Sequence, residues 1–233
     1  MLAEAAAGGA RLAILPEMFS TGFSMDAERI AQPPEGPSES FLREQATSLN
    51  LWILASIPES GKPSPRNMAL LVSPRGAVTR YAKIHPFSYA GEHQHYTAGD
   101  RVVTAGVEGV RVTPFVCYDL RFPEPFRLAA PETDLFAVVA NWPQERREHW
   151  RLLLRARAIE NQAYVVGVNR VGNDGHDVPH TGDSAAIDFR GRTLADAGNV
   201  AALLTVELPR EPLMRFREKF PAHLDADRFT LEL

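Results

Sequence analysis

Cys117 is the single cysteine of this 233-residue chain, and it ends the apolar run 110–117. The residues after it, 118–124, are typical of the entry to a helix. At such a strand-to-helix corner a side chain lies at the carboxyl edge of a sheet, where the next backbone N–H groups can bind a developing oxyanion. A lone cysteine is also a common small core residue, so the position favours a nucleophile only weakly.

Two charged residues also follow strand-like runs. Glu17 comes after the run 12–15 and has apolar neighbours, which suits a general base, although a capping or surface acid is the commoner role. Lys83 ends the second strand of a predicted hairpin. An ammonium near a thiol stabilises the thiolate and then an oxyanion, whereas an edge lysine usually only discourages aggregation.

Glu92 lies in a predicted loop rich in aromatic and imidazole groups, where it can orient Lys83 or an attacking water. His93 and His95 alternate, so on an extended chain both could face one metal ion. No cysteine or acidic cluster completes a ligand set, and thiol catalysis needs no metal. We therefore predict no metal and no cofactor, and we leave a metal-dependent hydrolase as the weakest alternative.

Several motifs are absent from the sequence. It has no G-x-S-x-G elbow, no G-x-x-x-x-G-K-[ST] phosphate loop, no G-x-G-x-x-G and no C-x-x-C. The interpretations of the chain as a serine hydrolase, a nucleotide-binding protein or a dithiol redox protein therefore lose their main support.

A layered α/β fold must position these groups, because short β-branched runs alternate with helical patterns. Glycine-containing turns at 73–76 and 188–192 predict β-hairpins, and hairpins mixed with strand–helix–strand units indicate mixed sheets. The predicted strands are 12–15, 51–57, 69–73, 78–81, 110–117, 135–141, 164–169, 184–188 and 201–207, and the predicted helices are 38–48 and 146–162.

Length and composition restrict the functional class. With 45% hydrophobic residues, the chain suits a single domain over residues 1–233. Its net charge of -4 comes from 25 basic and 29 acidic residues that are mixed along the chain, so we expect no nucleic-acid partner. No apolar run approaches the roughly 20 residues that span a bilayer, so we expect no membrane partner. The start lacks a basic n-region and carries Glu4, and one cysteine cannot form an internal disulfide, so we predict a cytoplasmic protein.

Four motifs, taken in order, resemble the carbon–nitrogen hydrolase (nitrilase) superfamily. They are Leu15-Pro-Glu-Met-Phe19, Tyr81-Ala-Lys-Ile-His85, Gly91-Glu-His-Gln-His-Tyr96 and Val116-Cys-Tyr-Asp-Leu-Arg-Phe-Pro-Glu124. Further matches at 141–143, 155–161, 169–172 and 181–184 extend the likeness over nearly the whole chain. Within the superfamily, segments 92–96 and 218–229 look most like the omega-amidase branch.

The resemblance implies an αββα sandwich of two mixed β-sheets flanked by helices, which pairs into a homodimer. It implies Glu17 as general base, Glu92 as supporting acid and Cys117 as nucleophile, with an oxyanion held by Lys83 and the Tyr118 N–H. The implied reaction splits a small carboxamide into carboxylate and ammonia through a cysteine thioester.

For this branch the implied substrates are omega-amides of 2-oxo acids, such as 2-oxoglutaramate or 2-oxosuccinamate. The resemblance places Phe19 and Trp142 against the substrate. Arg121 is a candidate for its carboxylate, although an ion pair with Asp119 or Glu124 is an equal alternative. A carbamoylase, an aliphatic amidase and a catalytically silent binding protein on the same fold stay open.

The chain departs from the family at its start. Members normally have a first strand and most of a first helix before Leu-Pro-Glu, and these are missing here. We therefore expect the segment 12–15 to lie at an exposed sheet edge.

Overall fold

The computed structural model describes residues 1–231, which form twelve strands and seven α-helices. The strands are β1 (Leu12–Ile14), β2 (Trp52–Glu59), β3 (Arg66–Val72), β4 (Val78–Ala82), β5 (Ala105–Val107), β6 (Val110–Val116), β7 (Leu135–Ala140), β8 (Tyr164–Asn169), β9 (Val171–Asn173), β10 (Pro179–Thr181), β11 (Ala185–Ile187) and β12 (Thr193–Asp196). The helices are α1 (Leu2–Ala7), α2 (Ala27–Ile30), α3 (Pro37–Leu49), α4 (Glu92–His95), α5 (Pro123–Ala129), α6 (Arg147–Asn161) and α7 (Arg210–Lys219). None of the helices in the described range combines the length and apolar character needed to cross a bilayer.

The first sheet has the strand order β1-β2-β3-β4. β1 pairs with β2 in parallel, and the other neighbours are antiparallel. Side chains alternate between its two faces, so that Leu54 faces one layer while Ile53 and Ala55 face the other. Within residues 1–231 β1 is an edge strand, as expected from the sequence.

The second sheet has the order β12-β11-β8-β7-β6-β5. Its centre, β6-β7-β8, is parallel, and β5, β11 and β12 add antiparallel edges. The central strand β7 is buried along its full length, as expected for a parallel strand covered on both faces. The carboxyl ends of β6, β7 and β8 therefore lie side by side.

The two sheets pack face to face between helical layers. Tyr81 of the first sheet meets Phe115 of the second edge-on, with ring centroids 5.5 Å apart. Helices α1 and α3 cover the outer face of the first sheet, and α5 and α6 cover the second. This arrangement confirms the predicted α/β class and its αββα sandwich of two mixed sheets.

Gly167 on β8 permits the close approach of α6 to the second sheet. A Cβ added at this position would lie 2.6 Å from a methyl carbon of Leu154 and 2.7 Å from the Trp150 ring. Any side chain here would therefore push the helix away from the sheet.

The structure confirms eight of the nine predicted strands, both hairpins and both predicted helices. The predicted strand 201–207 is wrong, because within residues 1–231 this segment pairs with no strand and its leucines are partly exposed. The sequence analysis also missed helices α2, α4 and α7 and the short strands β5, β9 and β10, and it gave no bounds for β12. β9 and β10 form a separate antiparallel hairpin, in addition to the two predicted sheets.

Candidate active site

Cys117 lies where the sequence analysis placed it, directly after β6. It begins a short 3-10 helix, Cys117–Arg121, and its backbone is in the left-handed region with φ of 47°. The buried carboxylate of Asp119 fixes this corner by accepting hydrogen bonds from the Val116 N–H (3.0 Å) and the Tyr81 hydroxyl (2.8 Å). The thiol is thus held at the carboxyl edge of the parallel strands.

Glu17 reaches the same place from the first sheet. It follows β1 in a turn whose next residue, Met18, has φ of 44° and donates its N–H to the Ser56 hydroxyl at 2.8 Å. The buried Glu17 side chain accepts a 2.8 Å hydrogen bond at Oε2 from the backbone N–H of Asn141, at the end of β7. One end of this carboxylate is therefore fixed by the second sheet.

Lys83 joins two carboxylates. Its Nζ lies 3.1 Å from Oε1 of Glu17 and 2.8 Å from Oε2 of Glu92, and all three side chains are buried. The Lys83 N–H donates to the Asn67 carbonyl at 2.9 Å, which anchors the lysine beside β3. Since both charges that surround the ammonium are negative, the lysine is held cationic in a buried position.

Asn67 is a member of the cluster that the sequence analysis missed. Its Nδ2 donates to Oε1 of Glu17 at 2.7 Å and to Oε1 of Glu92 at 3.2 Å. Its Oδ1 is buried without a hydrogen-bond partner among the described residues. The local sequence gave no signal for it, since a solvent-facing amide can also stand at the start of an apolar strand.

The charges of the cluster set its protonation states. Burial opposes the Lys83 ammonium, but Glu17 and Glu92 outweigh burial and hold the pKa of Lys83 above the ordinary value of lysine. Burial and the negative charge of Glu17 raise the pKa of Cys117 well above its usual value, and Lys83 only partly opposes them. Lys83 thus favours the thiolate, as expected from the sequence, but burial and the two carboxylates outweigh this effect on the pKa of the thiol.

Glu92 lies on helix α4 and not in a loop. Its buried carboxylate also accepts the N–H of Phe87. His93 and His95 lie on the same short helix with exposed side chains, so the geometry behind the metal alternative, an extended chain, does not occur. Among residues 1–231 no cluster of three or more His, Cys, Asp or Glu side chains is arranged to hold a metal ion.

Tyr118 follows the cysteine in the 3-10 helix. Its N–H is in the first turn, where a helix offers no internal acceptor, so the group is free to bind an oxyanion. Its ring packs against Phe87 and Phe122 at centroid distances of 4.9 and 5.1 Å.

Arg121 packs over the Trp142 ring, with its guanidinium carbon 4.9 Å from the ring centroid, and its Nη2 contacts Nδ1 of His149 at 3.1 Å. The alternative of an ion pair with Asp119 or Glu124 is wrong, because Arg121 makes no ion pair within residues 1–231. The Asp119 carboxylate instead accepts hydrogen bonds from the Val116 N–H and the Tyr81 hydroxyl.

An open cavity of about 710 Å³ borders the cluster. Glu17 and Phe19 line it, together with Asn141 and part of the β9–β10 hairpin, whereas Arg121, Trp142 and Cys117 do not. Phe19 also stacks on Phe41 at 6.1 Å, and Trp142 is buried. The structure thus brings Glu17, Lys83, Glu92 and Cys117 together and places Phe19 at the cavity wall.

Comparisons with known proteins agree with this geometry. The family model for carbon–nitrogen hydrolases matches residues 1–218. The omega-amidase YafV of Yersinia enterocolitica is 45% identical over 219 residues, which cover 94% of this chain and 85% of that protein. A 2-oxoglutaramate amidase of Paenarthrobacter nicotinovorans is 36% identical and matches 92% of this chain and 77% of its own length.

A solved structure extends the likeness to three dimensions. XC1258 of Xanthomonas campestris, a CN-hydrolase superfamily protein with an arsenic adduct in its active site, superposes with a TM-score of 0.94 at 40% identity. The match covers 99% of this chain and 89% of that one. The chain belongs to the carbon–nitrogen hydrolase (nitrilase) superfamily and is most similar to its omega-amidase branch.

Proposed function

We propose that the chain hydrolyses the omega-amide of a small 2-oxo acid, using Cys117 as nucleophile. The observation that carries this proposal is the buried cluster in which Lys83 pairs with Glu17 and Glu92 while the charge of Glu17 acts on the Cys117 thiol. A base, a nucleophile and a fixed cation in contact are the parts that acyl transfer needs.

In the first stage Glu17 accepts the thiol proton as the sulfur forms a bond to the amide carbon. The raised pKa of Cys117 makes this transfer necessary, because the resting thiol is neutral. Lys83 and the Tyr118 N–H stabilise the oxyanion of the tetrahedral intermediate. Glu17 then returns the proton to the nitrogen, the C–N bond breaks, and ammonia leaves a thioester on Cys117.

In the second stage water attacks the thioester. Glu17 accepts a proton from the water and passes it to the sulfur as the C–S bond breaks. This regenerates the thiol and releases the carboxylic acid, which ionises to the carboxylate product. Glu92 keeps Lys83 in place through its 2.8 Å ion pair and acts as the supporting acid. Asn67 holds both carboxylates in register.

The proposed substrates are 2-oxoglutaramate and 2-oxosuccinamate. The names of the relatives support this choice, since they include omega-amidases and 2-oxoglutaramate amidases. Phe19 is positioned to contact a substrate in the cavity. Trp142 and Arg121 stay predictions as substrate contacts, the latter for the carboxylate.

The test is an ammonia assay with 2-oxoglutaramate, combined with intact-protein mass spectrometry of the quenched reaction. We expect ammonia release and an acyl adduct on Cys117, and we expect Cys117→Ala to lose both while keeping its circular dichroism spectrum and unfolding midpoint. Full turnover in the alanine variant would refute the mechanism. A panel containing an N-carbamoyl amino acid and an aliphatic amide distinguishes a carbamoylase or aliphatic amidase, and no turnover of any amide would favour a silent binding protein.

We also propose that residues 1–233 form one catalytic domain; residues 232 and 233 lie outside the described residues. We propose further that the protein acts as a homodimer in the cytoplasm. Exposed leucines on two neighbouring helices, Leu128 on α5 and Leu152 on α6, support a subunit contact. The single cysteine cannot form an internal disulfide, and this supports a cytoplasmic location. Light scattering in solution tests the dimer, and a monomer at micromolar concentration would contradict it.

A further inference from the structure

The cavity beside Glu17 contains an arginine to which neither the proposed mechanism nor the sequence analysis gives a role. Arg170, directly after β8, lines the cavity together with Glu17 and Phe23. The Phe23 ring centroid lies 5.4 Å from Nζ of Lys83, so the cavity borders the catalytic cluster at two points. Its volume of about 710 Å³ is in the range of small-molecule sites.

The guanidinium of Arg170 is bound only by neutral groups. Its Nη2 donates to the Asn173 carbonyl at 2.9 Å, and its Nη1 donates to Oδ1 of Asn141 at a long 3.4 Å. Within residues 1–231 no carboxylate forms an ion pair with it. The nearby Asp174 is instead engaged by the N–H groups of His176 and Val178 at 2.8 and 3.0 Å.

The other arginine of the cavity differs in this respect. Arg29 is paired with Asp26, and its side chain is 76% exposed. Arg170 is half-buried. A carboxylate ligand would therefore displace less water from Arg170 than from Arg29, and it would meet a positive charge that no described carboxylate balances. The second candidate cation, Arg121, is packed on Trp142 and does not line the cavity.

One residue links Arg170 to the proposed base. Asn141 contacts the guanidinium through Oδ1, while its Nδ2 donates to the Glu17 carbonyl at 2.7 Å and its N–H to the Glu17 carboxylate at 2.8 Å. Gly22 leaves room beside the guanidinium, since a Cβ added there would lie 3.5 Å from Nη1.

We propose that Arg170 is the specificity-determining residue that binds the carboxylate of the amide substrate. This inference rests on the proposed function and names the residue that separates omega-amides of oxo acids from uncharged amides. An arginine fork forms two parallel hydrogen bonds with a carboxylate, and a neutral amide has no group that replaces them.

The test compares 2-oxoglutaramate with the uncharged five-carbon amide pentanamide in wild-type protein and in Arg170→Gln, Arg170→Lys, Arg121→Gln and Arg29→Gln. For Arg170→Gln we expect kcat/KM for 2-oxoglutaramate to fall by about 10- to 100-fold, mostly through KM, with less than about a threefold change for pentanamide. Arg170→Lys should recover part of the loss, and Arg29→Gln should change both substrates by less than about threefold. An equal loss on both amides, no loss, or a selective loss in Arg121→Gln instead would overturn the assignment.

A binding experiment separates this inference from the proposed function. Isothermal titration of glutarate, a five-carbon dicarboxylate, into Cys117→Ala and into the double variant Cys117→Ala/Arg170→Gln needs no turnover. We expect the double variant to bind about 10- to 100-fold more weakly. Equal affinities would overturn the role of Arg170 even if the enzyme is active, whereas weaker binding by a protein that splits neither amide would refute only the proposed function.

Discussion

The backbone N–H of Asn141 donates a 2.8 Å hydrogen bond to Oε2 of Glu17, while its side-chain Nδ2 donates to the Glu17 carbonyl at 2.7 Å. These two contacts cross from the end of β7 in the second sheet to the turn after β1 in the first. The orientation of the proposed base therefore depends on how the two sheets are packed.

Replacing Asn141 with alanine should lower kcat more than it weakens substrate binding. The variant loses the side-chain bond to the Glu17 carbonyl but keeps the backbone bond to the carboxylate, so we expect kcat to fall about tenfold. Ammonia release under saturating pentanamide, a substrate without a carboxylate, measures this loss separately from any effect on Arg170. Asn173→Ala is the matched control, because only its backbone carbonyl contacts Arg170; an equal loss in both variants would contradict the prediction.

Glu17→Gln should make Cys117 ionise more easily and yet abolish turnover. Burial is the largest cause of the raised pKa of the thiol, and the charge of Glu17 raises it further, so removing that charge should lower the pKa. The pH profile of iodoacetamide alkylation should therefore shift to lower pH, while ammonia release falls at least about 100-fold because the base is lost.

Lys83→Met should shift the same alkylation profile to higher pH, because Lys83 lowers the pKa of the thiol. Lys62→Met, outside the cluster, should leave the profile unchanged. An unshifted profile in Glu17→Gln would show that its carboxylate does not act on the sulfur.

Lys83→Met should also destabilise the fold. It leaves the carboxylates of Glu17 and Glu92 buried without their shared cation, so the free energy of unfolding should fall by about 3–5 kcal/mol. Urea denaturation at pH 7 measures the loss. The double variant Lys83→Met/Glu92→Gln removes one of the stranded charges and should recover part of it; no recovery would mean that lost packing, and not charge, dominates.

Asp134 should support stability at neutral pH and lose this effect in acid. Burial raises its pKa, but hydrogen bonds from Arg111 (2.9 Å) and Arg210 (3.0 Å) outweigh burial and leave the pKa below the ordinary value. A carboxyl with a depressed pKa in the folded state contributes stability above its unfolded pKa of about 3.9, and this contribution disappears as the pH falls below that value. We expect Asp134→Asn to lower the free energy of unfolding by about 2 kcal/mol at pH 7, with a smaller difference below about pH 4.

Glu132→Gln is the control for this measurement. Glu132 also pairs with Arg111, at 3.2 Å, but its side chain is 77% exposed, so its loss should cost less than about 1 kcal/mol. A difference between Asp134→Asn and wild type that stays constant from pH 7 to pH 3 would show that charge is not the cause.

Three of the four predicted residues of the cluster share one property that made them visible in the sequence. Glu17, Lys83 and Cys117 each stand at the end of an apolar run, and Glu92 lies in a motif beside them. Binding and catalytic side chains are concentrated where rigid elements pass into loops, so a position directly after a strand carries information about function. The strands themselves were visible because their apolar runs are long and have clear ends.

The residues that escaped prediction depend on contacts between the sheets. Nothing in the local pattern distinguishes Asn67 from a solvent-facing amide, and Arg170 becomes significant only because Asp174 is engaged elsewhere. The strand predicted at 201–207 shows the opposite error. Its apolar composition favours a strand, but the segment has no neighbouring strand with which to pair, so no strand forms. Helix α7 was missed because it is mostly charged and only Leu213 is buried.

The left-handed backbone at Cys117, with φ of 47°, has a consequence for engineering. An L-residue in this conformation carries a penalty of about 1–2 kcal/mol that glycine does not. A search for heat-tolerant variants that scores folding alone would therefore tend to select glycine at residue 117 and delete the thiol. Any stabilised version of this chain must keep that position fixed and improve the protein elsewhere.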